Sequence, residues 1–262
     1  MKLKNILLFC LFFCATAAQV NASWQGFIFA NTGYGQLSGL AQTPKGGSPG
    51  TTRFNRPTFD EANIKHNIIN ELAAGIDYCD YFAVLDYRQQ HVHGNKILTE
   101  DLITHAKFIP QGSPFNMHIQ YDWIAMWLGK AFSFNQNQSI VSPFLAGNWI
   151  KYQYDFVAPS AQSGRHFSIS ALTAGIAIEH YFDDRFSLDA MGQLTMPINN
   201  VRIYDATVGV NYHFVVSPHL ILSPRLGLLA TYINYEDEQT VPNHIQYRAK
   251  PHGMLGLTAK FI

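Results

Sequence analysis

The sequence predicts an all-β protein: a transmembrane antiparallel up-and-down β-barrel of about ten strands, with eight or twelve strands as alternatives. Apolar and polar side chains alternate along many segments, and the connections between these segments are alternately short and long. Charged residues make up only 14% of the chain and aromatic residues another 14%, whereas soluble domains carry about 25% charged residues. These three observations together are typical of a barrel that faces lipid.

Residues 1–22 have the pattern of a cleavable signal peptide. Two lysines are followed by a short apolar run, and small residues occupy the −3 and −1 positions before Ser23. The run is shorter than the roughly 20 residues that a membrane-spanning helix needs. We therefore expect a signal peptide over 1–22 and one barrel domain over 23–262, which retains Cys79 as its single cysteine.

The alternation is clearest over 186–196, where Ser187, Asp189 and Gln193 oppose a face of apolar side chains. Successive side chains of a strand point to opposite faces, so this segment has one face for lipid and one for the lumen. In 117–127 the apolar face is taken as the lipid face. The ten predicted strands are about 24–35, 65–78, 81–90, 117–127, 139–155, 167–181, 186–196, 202–214, 220–235 and 245–262.

The predicted connections support an even number of strands. The long ones are 36–63, 93–114, 156–166, 197–201 and 236–244. The short ones lie near 79–80, 135–138, 183–185 and 215–219. Outer-membrane barrels place short turns on the periplasmic side and longer loops outside. An even strand number puts both chain ends on the periplasmic side.

The charges on the polar faces should point into the lumen if the apolar faces meet lipid. The predicted lumen charges are Glu71, Asp77, Asp86, Arg88, Asp122, Glu179, Asp189, Asp205, Arg225 and Arg248. Buried charges persist when they are paired and hydrogen-bonded. Because acids and bases are mixed and a ten-strand barrel is narrow, we expect a filled or tightly constricted lumen. A structural ion pair is favoured over a catalytic role for each of these residues.

The histidines could suggest a metal site, but the pattern is weak. His91 and His93 share one face of a segment, yet a zinc site needs three or four ligands within tetrahedral reach. We therefore expect solvated histidines near the outer loops and no metal or cofactor. A net charge of +0 gives no reason to expect nucleic acid binding.

One short motif raises an enzymatic alternative. His166 and Ser168 share a face and resemble the His-x-Ser-Asn motif of barrel lipid A deacylases, in which the pair acts as base and nucleophile. Position 169 is Ile rather than Asn, and no acidic residue follows at a recognisable spacing. The acid pair and His–Asp dyad of the ten-stranded omptin proteases have no recognisable equivalent.

The first half of the chain resembles a group of outer-membrane β-barrel proteins, within the OmpA/OmpW-like small barrels in the broad sense. Segments 46–52 (GGSPGTT) and 56–61 (RPTFDE) are similar to the first loop of that group. Segments 98–105 (LTEDLITH) and 108–113 (FIPQGS) are similar to its second loop, and 120–123 (QYDW) continues the similarity. The resemblance implies a barrel in the outer membrane of a Gram-negative bacterium and transfers no catalytic residue.

The last strand resembles the assembly signal of outer-membrane proteins, with Leu255, Leu257, Ala259 and Phe261 on one face, although Ile262 follows the terminal aromatic residue. The expected partners are therefore the barrel assembly machinery, outer-membrane lipids and lipopolysaccharide. The favoured function is non-enzymatic: a structural, surface-interaction or small-solute role. A hydrolase acting on lipid A or peptides and a narrow porin-like channel are the alternatives.

Overall fold

The computed structural model describes residues 24–42, 58–104, 107–196, 200–237 and 243–262. Ten long strands pair with their neighbours in antiparallel fashion, and the first strand pairs with the last to close a barrel. The long strands are β1 (Trp24–Gln42), β2 (His66–Tyr78), β3 (Tyr81–Ile97), β6 (Pro114–Lys130), β8 (Ser139–Ala158), β9 (Ala161–Tyr181), β10 (Phe186–Thr195), β11 (Val201–Tyr212), β13 (Leu220–Glu236) and β14 (His244–Phe261). The architecture is that of an outer-membrane β-barrel.

Four short strands complete the described fold. β4 (Leu102–Thr104) and β5 (Lys107–Ile109) form a hairpin in the connection between β3 and β6. β7 (Phe132–Phe134) and β12 (Phe214–Ser217) continue the wall at the short-turn end, where they pair with β8 and β13. No helix in the described ranges is long and apolar enough to cross a bilayer.

The prediction of ten strands is confirmed, but three predicted loops are partly wrong. β1 extends to Gln42 and β3 to Ile97, so the predicted loops 36–63 and 93–114 begin inside strands. The predicted loop 156–166 is continuous strand, interrupted only by the two-residue turn 159–160 between β8 and β9. The strands extend well beyond the segment that a membrane requires. They do so because the inward apolar residues of this extra length are buried in the interior.

The lower half of the wall, next to the short turns, is apolar outside. Leu128 is 53% exposed, Leu145 52% and Leu226 65%, all on outward-facing positions. Aromatic side chains border this band, which is the habit of residues at membrane interfaces. The lower border contains Tyr78, Tyr81, Phe132, Phe186, Tyr212, Phe214 and Phe261. The upper border contains Tyr34, Tyr87, Trp149, Tyr204 and Tyr232.

Above the upper aromatic border the pattern is reversed, and we call this part of the barrel the upper extension. Its interior is apolar: Phe115, Met117 and Ile119 on β6 have no exposed surface, and neither does Tyr154 on β8. Its outward positions are mostly polar. Strands β8 and β9 have 20 and 21 residues, about twice the roughly 9–11 that a membrane strand needs.

A turn over 58–64 closes the top of this apolar interior together with the β4–β5 hairpin. Phe59 and Ile109 are completely buried there. The turn lies against Gly94 of β3 so closely that a Cβ atom at that glycine would be 2.1 Å from the Ala62 carbonyl oxygen. The predicted signal peptide 1–22, the loop motif 46–52, residues 56–57 and His105 lie outside the described residues.

Candidate functional site

Arg88 on β3 lies at the centre of a buried ion-pair cluster at the level of the upper aromatic border. Its Nε atom is 2.6 Å from Glu71 Oε1 and its Nη1 atom is 2.7 Å from Asp205 Oδ2. Asp86 makes the longest contact, 3.4 Å from its Oδ2 atom to Arg88 Nε. The guanidinium also lies over the Trp123 ring, 5.1 Å from its centroid. Glu71, Asp86, Arg88 and Asp205, four of the sequence-predicted lumen charges, thus lie together inside the barrel.

Uncharged side chains extend this cluster into a continuous ring. Trp123 Nε1 donates to Asn148 Oδ1 at 2.9 Å, and Asn148 Nδ2 donates to Thr173 Oγ1 at 2.9 Å. Thr173 Oγ1 donates to Gln193 Oε1 at 2.8 Å, and Gln193 Nε2 lies 3.4 Å from Asp205 Oδ2. Because Arg88 contacts both Trp123 and Asp205, the ring closes. We call it the polar layer.

Two further side chains connect the polar layer to the remaining wall. Thr231 on β13 donates to Asp205 Oδ1 at 2.6 Å, and Asn31 on β1 donates to Glu71. Beside Arg88 the space enclosed by Tyr121, Trp123 and Tyr247 amounts to about 10 Å³, which is barely enough for one water molecule. The side chains of the polar layer therefore leave little free space in the lumen beside Arg88.

A second ion pair lies in the lower half. Arg225 binds Asp189 with two hydrogen bonds, of 2.9 Å from Nε and 2.6 Å from Nη2. Its Nη2 atom also donates to Thr207 Oγ1 at 2.8 Å. A bidentate arrangement of this kind fixes the planar guanidinium geometrically. Asp189 and Arg225, both predicted as lumen charges, thus lie against each other.

The lower lumen below the polar layer holds a cavity of about 570 Å³. Asp77 and Glu179 line it, as does Lys260, so the two predicted acids do face the lumen. Glu179 accepts a hydrogen bond of 2.8 Å from Ser187 Oγ. Aromatic rings form much of the remaining lining: Phe27, Phe29, Phe82, Trp127, Phe144 and Tyr181.

Two predicted lumen charges are on the outside, and the prediction is wrong for both. Asp122 points outward because the aromatic face of β6, with Trp123 only 1% exposed, fills the interior. Arg248 points outward because the pairing of β14 with β13 shifts in register between Leu229 and Thr231, which reverses the alternation above this point. Arg248 lies over the Tyr232 ring, 5.4 Å from its centroid.

The outer surface of the upper extension carries a polar face on four adjacent strands, which we call the outer polar wall. Asp122 organises its lower edge: it accepts hydrogen bonds from Tyr87 Oη at 2.9 Å, Gln120 Nε2 at 2.9 Å and Gln89 Nε2 at 3.3 Å. The pairing of β3, β6, β8 and β9 aligns its members in rows. They are Gln89, Asp122, Lys151, Ser168, His91, Gln120, Gln153, His166, His93, His118 and Asp155.

His166 and Ser168 belong to this wall. Both are exposed, and Gln153 and Lys151 are their partners on β8. His91 and His93 are also on the wall, with ring centroids 6.2 and 6.4 Å from that of His118. Among the described residues, no group of three His, Cys, Asp or Glu side chains is arranged to hold a metal ion.

Sequence reasoning missed Asn148 and Thr173 as members of the polar layer, and it placed Gln193 on the polar face of its strand without linking it to the charges. Asn148 and Thr173 are isolated polar residues on inward positions whose neighbours on the same face are small or apolar. An inventory of inward amides and hydroxyls, in addition to charges, would have found them. Trp123 was missed because an amphipathic strand alone does not say which face is inside.

No family model matches the chain, and no curated protein matches it either. The outer-membrane protease OmpT of Escherichia coli is similar in structure, with 9% sequence identity, a TM-score of 0.49, and coverage of 90% of this chain and 97% of that chain. A FadL homologue of Pseudomonas aeruginosa shares 11% identity with a TM-score of 0.39, over 91% of this chain and 90% of that one. Ail, the attachment invasion locus protein of Yersinia pestis, shares 12% identity with a TM-score of 0.34, over 90% and 99%. These similarities transfer no residue role to the present chain.

Proposed function

We propose that this protein is a non-conducting outer-membrane barrel that holds a rigid, polar surface outside the bilayer for interaction with cell-surface components. The observation that carries the proposal is the polar layer. Arg88 reaches Asp205 across the bore, and side chains of nine of the ten long strands contribute to the layer and its extensions. A pore for solutes needs a continuous open path, which this layer blocks.

The upper extension supports a surface role. Its interior is packed like that of a soluble domain, with Phe115 and Phe156 in ring contact at 5.7 Å. A packed interior keeps the outer polar wall rigid, and preorganised groups bind at a smaller entropic cost. The wall combines amides, imidazoles and carboxylates just above the exposed Trp149 ring. Such a surface suits the sugars and charged groups of lipopolysaccharide, which is the partner that we propose.

Export and assembly complete the proposal. Residues 1–22 direct the chain across the inner membrane of a Gram-negative bacterium and are then removed. The outward row Leu255, Leu257 and Phe261 on β14 supports recognition of the last strand by the barrel assembly machinery.

Conductance measurements test the proposal. The purified barrel in planar bilayers should give no steady current. A variant that combines Arg88→Ala, Trp123→Ala and Gln193→Ala removes three members of the polar layer and should increase ion passage. The matched control changes three outward side chains instead: Gln89→Ala, Lys151→Ala and Gln153→Ala.

Uptake of small sugars into liposomes provides a second measurement that does not depend on folding of the triple variant. Liposomes that contain the wild-type protein should swell no faster than protein-free liposomes. A large steady conductance or rapid swelling with the wild-type protein would overturn the proposal in favour of a channel.

A further inference from the structure

A cleft of about 330 Å³ opens on the outside of the barrel between the upper part of β1, the segment 58–65 and β14. Its walls are fixed by main-chain hydrogen bonds. Leu37 N donates to the Lys65 carbonyl at 2.8 Å, and Phe59 N donates to the Gly39 carbonyl at 3.0 Å. Thr58 N also donates to Glu61 Oε2 at 2.6 Å, which holds the first turn of the segment in place. The cleft is therefore preformed.

The cleft is rich in positive charge. Lys65 and Lys250 both line it and are exposed. Arg248 is a neighbouring cation that does not line the cleft: it pairs in register with Ser38 on β1, but its guanidinium lies over the Tyr232 ring of β13. Within the described ranges these three cations form no ion pair. Asp60 is the acid among the lining residues, so the cationic groups outnumber it.

Polar groups that can donate hydrogen bonds also line the cleft. The Oε1 atom of Gln36 lies 3.4 Å from Lys250 Nζ. This leaves the side-chain amide nitrogen of Gln36 for other partners. The Ser38 side chain also lines the cleft. A phosphate group offers several acceptor oxygens and prefers such charge-assisted hydrogen bonds. The chemistry of the cleft therefore fits a phosphomonoester.

The height of the cleft indicates where the phosphate comes from. Tyr34 belongs to the upper aromatic border, is 60% exposed, and stacks on His66 with ring centroids 5.6 Å apart. His66 is itself a lining residue of the cleft. Aromatic borders mark the headgroup region of a bilayer, so the cleft opens directly above the apolar band, at the level of lipid phosphates.

We propose that this cleft binds a phosphate group of an outer-leaflet glycolipid, with Lys65 and Lys250 as the principal ligands. The inference rests on the outer-membrane location in the proposed function. It adds a defined site, on the opposite side of the barrel from the outer polar wall, at which a phosphorylated lipid stays bound to the protein.

Binding of purified lipid A to the full-length barrel in detergent tests the site. Native mass spectrometry would compare bisphosphorylated lipid A with the same lipid after enzymatic removal of both phosphates. Lys65→Gln with Lys250→Gln should weaken binding of the phosphorylated lipid about tenfold or more, because each charge-assisted hydrogen bond contributes strongly. Lys107→Gln with Arg185→Gln, two exposed cations outside both the cleft and the outer polar wall, is the matched control and should change binding less than about twofold.

Three results would overturn the proposal. They are equal binding of the dephosphorylated lipid, unchanged binding by the Lys65 and Lys250 double variant, and complete competition by inorganic phosphate at concentrations comparable to the lipid. Higher salt should weaken binding. The outcome is independent of the conductance test. A closed barrel whose affinity for lipid A does not depend on Lys65 and Lys250 would refute only the cleft, and a conducting barrel whose lipid A binding does depend on them would refute only the closed bore.

Discussion

Arg88 on β3 and Asp205 on β11 form an ion pair across the bore, with 2.7 Å between Nη1 and Oδ2. The two strands are not neighbours in the sheet. The pair therefore connects opposite parts of the wall, and both side chains are almost completely removed from solvent. A buried pair of this kind stiffens the cylinder at the level where it enters the upper extension.

Removal of Arg88 should destabilise the barrel strongly. Arg88→Met leaves the carboxylates of Glu71 and Asp205 buried without their partner, which costs about 3–5 kcal/mol in comparable pairs. Guanidinium unfolding in micelles, followed by tryptophan fluorescence, measures the change. Arg202→Met, at an exposed outward position of β11, is the control and should lie within about 0.5 kcal/mol of wild type. Equal midpoints for the two variants would contradict the prediction.

Asp86 should behave in the opposite way from Asp205. Three carboxylates surround the single guanidinium of Arg88, and Asp86 makes the longest contact while its Oδ1 atom has no hydrogen-bond partner among the described residues. Asp86→Asn removes a surplus buried negative charge, so we expect stability equal to or above wild type. Asp205→Asn should lose about 1–3 kcal/mol. The same unfolding assay separates the two, and a greater loss for Asp86→Asn would refute this account.

Gly94 should be intolerant of a side chain. A Cβ atom there would lie 2.1 Å from the Ala62 carbonyl oxygen, so Gly94→Val must displace the 58–64 turn. We expect a loss of about 1–3 kcal/mol and faster amide hydrogen exchange over 58–64. Gly253→Val is the control, because a Cβ at that glycine meets no atom within 4 Å. Unchanged exchange in the Gly94 variant would show that the turn does not depend on this contact.

Cys79 reports the orientation of the barrel. It is exposed in the turn between β2 and β3 on the short-turn side. A membrane-impermeant maleimide should label it only after the outer membrane is permeabilised. Ser160→Cys in a Cys79→Ser background places the thiol in the turn between β8 and β9, on the opposite side, and should be labelled on intact cells. The reverse pattern would mean that the barrel is inserted the other way round.

Acid should weaken the upper extension through His252. This side chain lies above the upper aromatic border on an inward position, with Nε2 2.7 Å from Asn67 Oδ1. Burial lowers the pKa of His252 below its usual 6.5; nearby His66 lowers it further, and the Lys250 carbonyl raises it. Because the unfolded chain takes up the proton more readily, this contribution to stability is complete above the unfolded pKa. It is lost as the pH falls through the folded value.

Unfolding midpoints of wild type and His252→Gln between about pH 7.5 and about pH 5 measure this effect. The wild-type protein should lose more stability than the variant over that interval. A variant whose midpoint falls with acid as steeply as that of wild type would exclude His252 as the source.

The strand count was predictable because the alternation of apolar and polar side chains recurs in ten segments and the short turns lie where they were expected, although the connection 159–160 is much shorter than predicted. The membrane-facing strand β10 was predicted within one residue, since its exterior is apolar throughout. β6 shows why the rest was not predictable: Ile124 and Met126 face outward in the band, and the outward row above them changes to Asp122 and Gln120. A single rule for which face of a strand meets lipid fails here, because the strand passes through the bilayer and then continues into water.

The candidate site was predictable only in its charges. The acids and bases of the polar layer follow from alternation along strands of regular register, so Glu71, Arg88 and Asp205 were found. Arg248 was misplaced because a shift in register leaves no mark in the composition of β14. The ion-pair partners across the bore were not predictable. Arg88 and Asp205 are 117 positions apart in the chain, and no local sequence feature specifies that they come into contact.

The outer polar wall has a consequence for biogenesis. To reach the far side of the membrane, the hairpin of β8 and β9 has to carry outward-facing side chains such as Lys151 through the hydrocarbon. A lysine on the lipid face at the bilayer midplane costs about 2–4 kcal/mol in β-barrels. The height of this barrel therefore creates a kinetic barrier to insertion, which should grow with the thickness of the bilayer and fall where the bilayer is thinned.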